Sequence, residues 1–185
     1  TPILMASRLN NSKICNLLIK NNCDLNLTNS NGNTPLMYAC MNSNFDLVKK
    51  MVENGSEINF RDNQQDISFF YACGCDNKTE LNLDLIKYLV GNGADINHKS
   101  EDNNTALHYA AEHSDNYDLL NYLLSLNINP NLLNNENKTF IEYIIDSNEV
   151  LNLIDKYDMV KYNNIKNSIV IKYSNNKIFD KFLDY

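Results

Sequence analysis

Segments of one six-residue pattern recur along this chain at a nearly constant interval. Thr34-Pro-Leu-Met-Tyr-Ala39 returns as Thr105-Ala-Leu-His-Tyr-Ala110, and Thr1-Pro-Ile-Leu-Met-Ala6 lies 33 residues ahead of the first. Ile67-Ser-Phe-Phe-Tyr-Ala72 follows 33 residues after it, and Thr139-Phe-Ile-Glu-Tyr-Ile144 comes 34 after the segment at 105. A second pattern keeps phase with the first: Asn22-Cys-Asp-Leu-Asn26, Gly55-Ser-Glu-Ile-Asn59, Gly93-Ala-Asp-Ile-Asn97 and Asn127-Ile-Asn-Pro-Asn131. From its last Asn to the next Thr-like position is eight residues in every copy. Steps longer than 33 therefore come from insertions elsewhere, five residues within 74–82 and one near Ser114. A unit this short exposes too much surface to close its own core. Such units fold by stacking on their neighbours, so the period predicts a solenoid.

Within a unit the residues predict two short helices. Thr34 ahead of Pro35 reads as an N-cap followed by the first helical position, where the missing proline N–H costs nothing. Asn11, Asn44, Asn82 and Asn116 form a column that predicts caps for the second helices, each contributing about 1 kcal/mol over Ala. Those helices carry apolar residues at helical spacing, such as Leu47, Val48, Met51 and Val52, or Leu85, Ile86, Leu89 and Val90. Their ends fall at Asn22, Gly55, Gly93 and Asn127, residue types that tolerate the left-handed backbone a helix C-terminus favours.

The Thr-Pro-Leu-His-x-Ala pattern, the Gly-Ala-Asp-Ile-Asn turn and the 33-residue period resemble the ankyrin repeat. The resemblance implies an all-α fold, an ankyrin-repeat solenoid of stacked helix-turn-helix units with hairpin loops. Five repeats are expected over residues 1–157, at about 1–28, 29–61, 62–99, 100–133 and 134–157. Residues 158–185 fit the pattern poorly, and Ile165, Ile169, Ile178, Phe179 and Phe182 suggest a C-terminal cap of one or two helices. The third repeat starts with Ile67-Ser68 in place of Thr-Pro, so its cap is lost or shifted to Asp66, and it is expected to be the least stable. The fifth is shortened between its helices, with Ile144 at the usual Ala position. The first lacks a preceding hairpin, and a chain that opens at Thr1 without Met or signal peptide reads as a piece of something longer.

Net charge is −7, but residues 1–155 hold 10 Lys/Arg against 20 Asp/Glu, while 156–185 hold 6 Lys against 3 Asp. The field of an acidic body repels phosphates, which argues against nucleic acid as a partner. No apolar run approaches a membrane span. Cys15, Cys23, Cys40, Cys73 and Cys75 are odd in number and lack paired metal spacing, which suggests free thiols in a reducing, cytoplasmic setting. Cys75, beside the insertion, is expected to be exposed. Asn supplies 35 of the 185 residues, a bias of the kind that AT-rich coding produces.

Nothing in the residue pattern suggests catalysis, a cofactor or a metal. The five Gly form no phosphate loop, and His98 and His113 have no nucleophile or carboxylate at a telling distance. The resemblance puts His108 at the repeat's structural His, tying helix to loop, with Leu4, Met37, Phe70 and Glu142 at the equivalent positions. The Tyr column (Tyr38, Tyr71, Tyr109 and Tyr143) either lines a groove or packs between first helices with its hydroxyls in solvent, and the second is the plainer expectation. Asn26, Asn59, Asn97 and Asn131 are expected to stabilise their turns.

The resemblance further implies a non-catalytic scaffold that binds another protein along hairpin tips and first helices. Position by position, the surface expected to face a partner comprises Arg8 in the first repeat and Ser30, Asn31, Asn33, Met41 and Asn42 in the second. The third contributes Asn63, Gln64 and Asp66, and the fourth Glu101, Asp102, Asn104, Glu112 and His113. The fifth adds Asn135, Glu136, Lys138 and Asp146. The shift from amides to acids suggests a partner with a basic segment meeting the third to fifth repeats. Two other roles fit the resemblance: a substrate-recognition adaptor of the kind viral ankyrin proteins supply to a ubiquitin ligase, or a regulatory module of a larger enzyme or channel. Residues 158–185 lack the Leu-Pro start usual in the F-box-like segments of such adaptors.

Overall fold

All regular structure among the described residues is helical. The computed structural model describes residues 1–74, 83–113, 117–144, 147–158 and 163–173. The first pairs are α1 (Pro2–Arg8) with α2 (Ser12–Lys20), and α3 (Pro35–Met41) with α4 (Phe45–Glu53). Then come α5 (Ser68–Cys73) with α6 (Leu83–Gly91), and α7 (Ala106–His113) with α8 (Tyr117–Ser125). A single 3-10 turn (Phe140–Tyr143) precedes α9 (Ser147–Tyr157) and α10 (Asn163–Tyr173). The chain divides into two compact units, Thr1–Glu101 and Asp102–Tyr185.

Stacking within each unit follows one rule: first helix on first helix, second on second. In the first unit α1 packs on α3 and α3 on α5, while α2 packs on α4 and α4 on α6. In the second unit α7 packs on the 3-10 turn and α8 on α9. Buried apolar columns hold the layers together, with Leu36, Ala39, Cys40, Leu47, Val48 and Met51 all at most 2% exposed in the second repeat. Among the described residues Cys15, Cys40 and Cys73 are buried and Cys23 is half-buried, and all four are free thiols. Burial raises the Cys15 and Cys23 pKa values, which disfavours their thiolates. Cys75 lies outside the described residues, as does most of the five-residue insertion.

The caps follow from the residues at the turns. Thr34 Oγ1 accepts from the Met37 N–H at 3.3 Å, and Pro35 takes the next position. Asn11 and Asn44 cap α2 and α4 by accepting from Ile14 N–H and Leu47 N–H, each at 3.1 Å. Asn82 and Asn116 lie outside the described residues. Asn11 and Asn44 also close the helix before them. Asn10 and Ser43 adopt φ of 52° and 50°, and the following N–H groups reach back to Ala6 O and Ala39 O at 2.8 and 3.0 Å. Asn22, Gly55, Gly93 and Asn127 end the second helices with φ of 54°, 94°, 88° and 59°.

Two repeats depart from the pattern where the sequence does. Ile67 occupies the N-cap of α5 without a side-chain cap bond. The first helix of the fifth repeat is reduced to the 3-10 turn, because Ile144 has an extended ψ of 125° where other repeats continue helically through Ala. In the same unit α10 packs on that turn. Its Ile165 is fully buried, and its Ser168 hydroxyl donates to Glu142 Oε1 at 2.6 Å. Ile178, Phe179 and Phe182 of the expected cap lie outside the described residues.

Candidate functional site: the hairpin tips

Each hairpin tip is a five-residue loop ahead of a first helix: 29–33, 62–66, 100–104 and 134–138. The first position anchors the loop. Asn29 Oδ1 accepts from the Asn31 and Asn33 N–H groups, both at 2.9 Å. Asp62 Oδ1 does the same for Gln64 and Asp66, both at 2.9 Å, and Asn134 Oδ1 for Glu136 and Lys138 at 3.0 and 3.1 Å. The fourth position is left-handed in every copy, with φ of 81° at Gly32, 62° at Gln65, 57° at Asn103 and 57° at Asn137. At Gly32 a β-carbon would meet the next loop's Asn63 N–H nitrogen at 2.8 Å, so a side chain there would push neighbouring tips apart.

The tyrosine column belongs to this anchor. Asn29 Nδ2 donates to Tyr38 Oη at 2.8 Å and Asn134 Nδ2 to Tyr143 Oη at 2.8 Å, while the Tyr71 hydroxyl donates to Asp62 Oδ2. The expectation of hydroxyls in solvent is corrected for these three: each ties a first helix to the hairpin nine residues earlier. Burial, then the bond to Asp62 and its charge, raise the Tyr71 pKa well above the ordinary tyrosine value.

Successive tips are joined through the backbone. In the first unit Asn63 N–H donates to Asn31 O at 3.0 Å and Glu101 N–H to Gln64 O at 2.8 Å. In the second, Asn135 N–H donates to Asp102 O at 2.9 Å. Side chains at the fifth position reinforce the joint. Asn33 Nδ2 reaches Tyr71 Oη at 2.9 Å and Asp62 Oδ2 at 3.3 Å, and Asn104 Oδ1 accepts from Asn134 Nδ2 at 2.9 Å.

These bonds sort the residues expected to face a partner. The second and third positions are exposed in every tip: Ser30 and Asn31, Asn63 and Gln64, Glu101 and Asp102, Asn135 and Glu136. Arg8, Met41 and Glu112 are exposed as well. Asn33 and Asp66 are corrected, since both are buried inside the hairpin layer. Asn104 is half-buried in the joint, and Asn42 is half-buried with its amide on Ser7 O and Tyr38 O. Lys138 is partly exposed and pairs its ammonium with Glu136, which raises its pKa. Polar residue type suggested surface, whereas stacked hairpins need amides inside to satisfy one another's loop groups. Asp146 and the His113 side chain lie outside the described residues.

The histidines serve the same framework. Thr105 N–H and Oγ1 lie 3.2 and 2.9 Å from His108 Nδ1, and His108 Nε2 lies 3.1 Å from Lys138 O. A backbone N–H only donates and a carbonyl only accepts, so the ring is neutral with its proton on Nε2. Met37 and Glu142 occupy the same column: Thr34 N–H approaches Met37 Sδ at 3.3 Å, and Thr139 N–H donates to Glu142 Oε1 at 3.0 Å. His98, for which the sequence suggested no role, donates from Nε2 to Gln65 O at 2.6 Å and lies against Phe70. Asn26 and Asn59 extend beyond their own turns. Their amides reach Gly55 O and Gly93 O at 3.1 and 2.9 Å, and their Oδ1 atoms accept from Glu57 N–H and Asp95 N–H, both at 2.9 Å.

The arrangement can hold side chains rigidly toward a partner. Among the described residues no three His, Cys, Asp or Glu side chains converge as metal ligands, and no helix is long and apolar enough to cross a membrane. Comparison with the curated proteins returns no match. A family model described as ankyrin repeats (3 copies) matches residues 3–100, more than half of the chain, and a second, ankyrin repeats (many copies), matches residues 82–124. The period, the paired helices and these matches together make the chain a member of the ankyrin repeat family.

Proposed function

We propose that the protein is a non-catalytic scaffold that binds another protein through the second and third positions of its hairpin tips. Ankyrin repeats generally mediate protein–protein interaction. One observation supports the assignment to these positions: a backbone hydrogen bond joins each tip to the next while the side chains at those two positions stand exposed. Binding to such side chains orders little that is not already ordered, which favours affinity. Glu101 and Asp102 are acidic where Asn63 and Gln64 are neutral, so the preferred partner segment is basic. Buried or half-buried free thiols and an acidic net charge of −7 support a reducing, intracellular setting and no nucleic-acid partner.

The test is selection of binding peptides from a random display library, followed by affinity measurements against salt. Selected peptides should be rich in Lys and Arg, bind more weakly as salt rises, and lose at least about tenfold in affinity on Asp102→Lys or Glu101→Lys. Neutral peptides indifferent to salt and to both substitutions would remove the tips' acids from the binding surface.

A further inference from the structure

Asn-Gly is the dipeptide most open to spontaneous deamidation, because glycine puts no side chain in the way of its own nitrogen attacking the Asn amide carbon. The chain holds three such pairs, Asn31-Gly32, Asn54-Gly55 and Asn92-Gly93, and all three Asn are exposed. Their glycine nitrogens do not distinguish them. Gly32 N–H donates to Asn29 O, Gly55 N–H to Val52 O and Gly93 N–H to Val90 O, each at 3.1 Å. The Asn amides do. Asn54 Nδ2 donates to Lys50 O at 2.7 Å and Asn92 Nδ2 to Tyr88 O at 2.8 Å, which draws both side chains back over the preceding helix. Asn31 lies in a hairpin tip instead, with its N–H on Asn29 Oδ1 at 2.9 Å and its carbonyl accepting from Asn63 N–H at 3.0 Å. Among the described residues no hydrogen bond holds its side-chain amide.

We infer that Asn31 is a site of spontaneous deamidation in the folded protein, and that the reaction alters the joint between the second and third hairpin tips. Gly32 N attacks Asn31 Cγ. The N–Cγ bond forms, the Cγ–Nδ2 bond breaks, and the amide nitrogen leaves as ammonia with the Gly32 proton. Water then opens the cyclic imide at either of its carbonyl carbons, leaving aspartate or isoaspartate at position 31.

Either product places a carboxylate in a tip, residues 29–33, that is otherwise uncharged. Isoaspartate does more. Its main chain runs through the former side chain, one carbon longer, and the carbonyl that accepted from Asn63 N–H becomes a free carboxylate. Gly32 has no room to move toward the next loop, since even a β-carbon there would meet Asn63 N at 2.8 Å and Asp62 Cα at 2.9 Å. The second tip therefore separates from the third, while the bond from Glu101 N–H to Gln64 O is untouched.

The test ages the purified full chain in warm neutral buffer, once folded and once in denaturing urea, and follows conversion by peptide-mapping mass spectrometry. In the folded chain Asn31 should lead Asn54 and Asn92 by at least about fivefold, the factor that one net hydrogen bond supplies. In urea the three rates should converge, because the bonds to Lys50 O and Tyr88 O are gone. Hydrogen exchange of the isoaspartate-bearing chain should be faster at the Asn63 amide and unchanged at the Glu101 amide. Folded chains that convert first at Asn54 or Asn92, that convert all three alike, or that convert none overturn the proposal. So does a lead for Asn31 that persists in urea. Asn63 protection unaltered by isoaspartate would sever the site from the joint.

Discussion

The second repeat starts its first helix on Thr34 and Pro35, with Thr34 closing onto Met37; the third starts on Ile67 and Ser68, and Ile67 closes onto nothing with its side chain. Their hairpins differ in the opposite sense. Asn29, half-buried, anchors the second loop as a neutral amide, while the third uses the buried carboxylate of Asp62 on two backbone N–H groups, the Tyr71 hydroxyl and the Asn33 amide. His98 adds a bond to Gln65 O of that same loop. Where the helix start lost its cap, the loop ahead of it gained charge-assisted bonds, which are stronger than neutral ones. A repeat can therefore keep its position with a different set of bonds, because neighbours supply what its own motif lacks.

The comparison breaks most readily at the anchors. Asp62→Ala strips four bonds and leaves the Tyr71 hydroxyl and Asn33 amide short of a partner in a largely buried joint, so a loss of about 3–4 kcal/mol is expected by urea unfolding. Asn29→Ala, at a half-buried position with neutral bonds, should cost about 1–2 kcal/mol. Equal losses would mean that the carboxylate brings no advantage. Thr34→Ala removes one cap and should cost about 1 kcal/mol, with no counterpart to remove at Ile67.

A subtler effect belongs to Tyr71 of the third repeat. Tyr71 holds its proton more tightly in the folded state than in the unfolded chain, where its pKa is about 10. Above that pH the unfolded state sheds the proton and the folded state keeps it, so this stabilisation is complete below about pH 10 and declines as pH rises toward the folded value. Tyr71→Phe should flatten the fall in Tm between pH 9 and 11. An unchanged slope would show that Tyr71 titrates alike in both states.

Much of the stack was legible because it depends on local chemistry. Pro35 behind Thr34, the Asn11 and Asn44 caps, and the left-handed positions from Asn22 to Asn127 are set within a few residues of chain, and the family match agrees with the period they define. The joints were less legible, because they form between residues about 30 apart that meet only once hairpins are in register. Asn33 and Asp66 read as surface for that reason, although both are buried. A signal was present: three Tyr of the column stand nine residues after a loop anchor, Tyr38 after Asn29, Tyr71 after Asp62 and Tyr143 after Asn134. The left-handed tip position was hidden by its variety, since Gln65 shares it with Gly32, Asn103 and Asn137.

The central claim is that the tips are joined to one another through the backbone and present exposed side chains at their second and third positions. Native-state hydrogen exchange at the Asn63, Glu101 and Asn135 amides tests this most directly, since all three residues are exposed yet donate to the preceding tip. Protection approaching that of the helix-core amides of Leu47 and Leu120 is expected. Exchange at the rate of an open loop would contradict it.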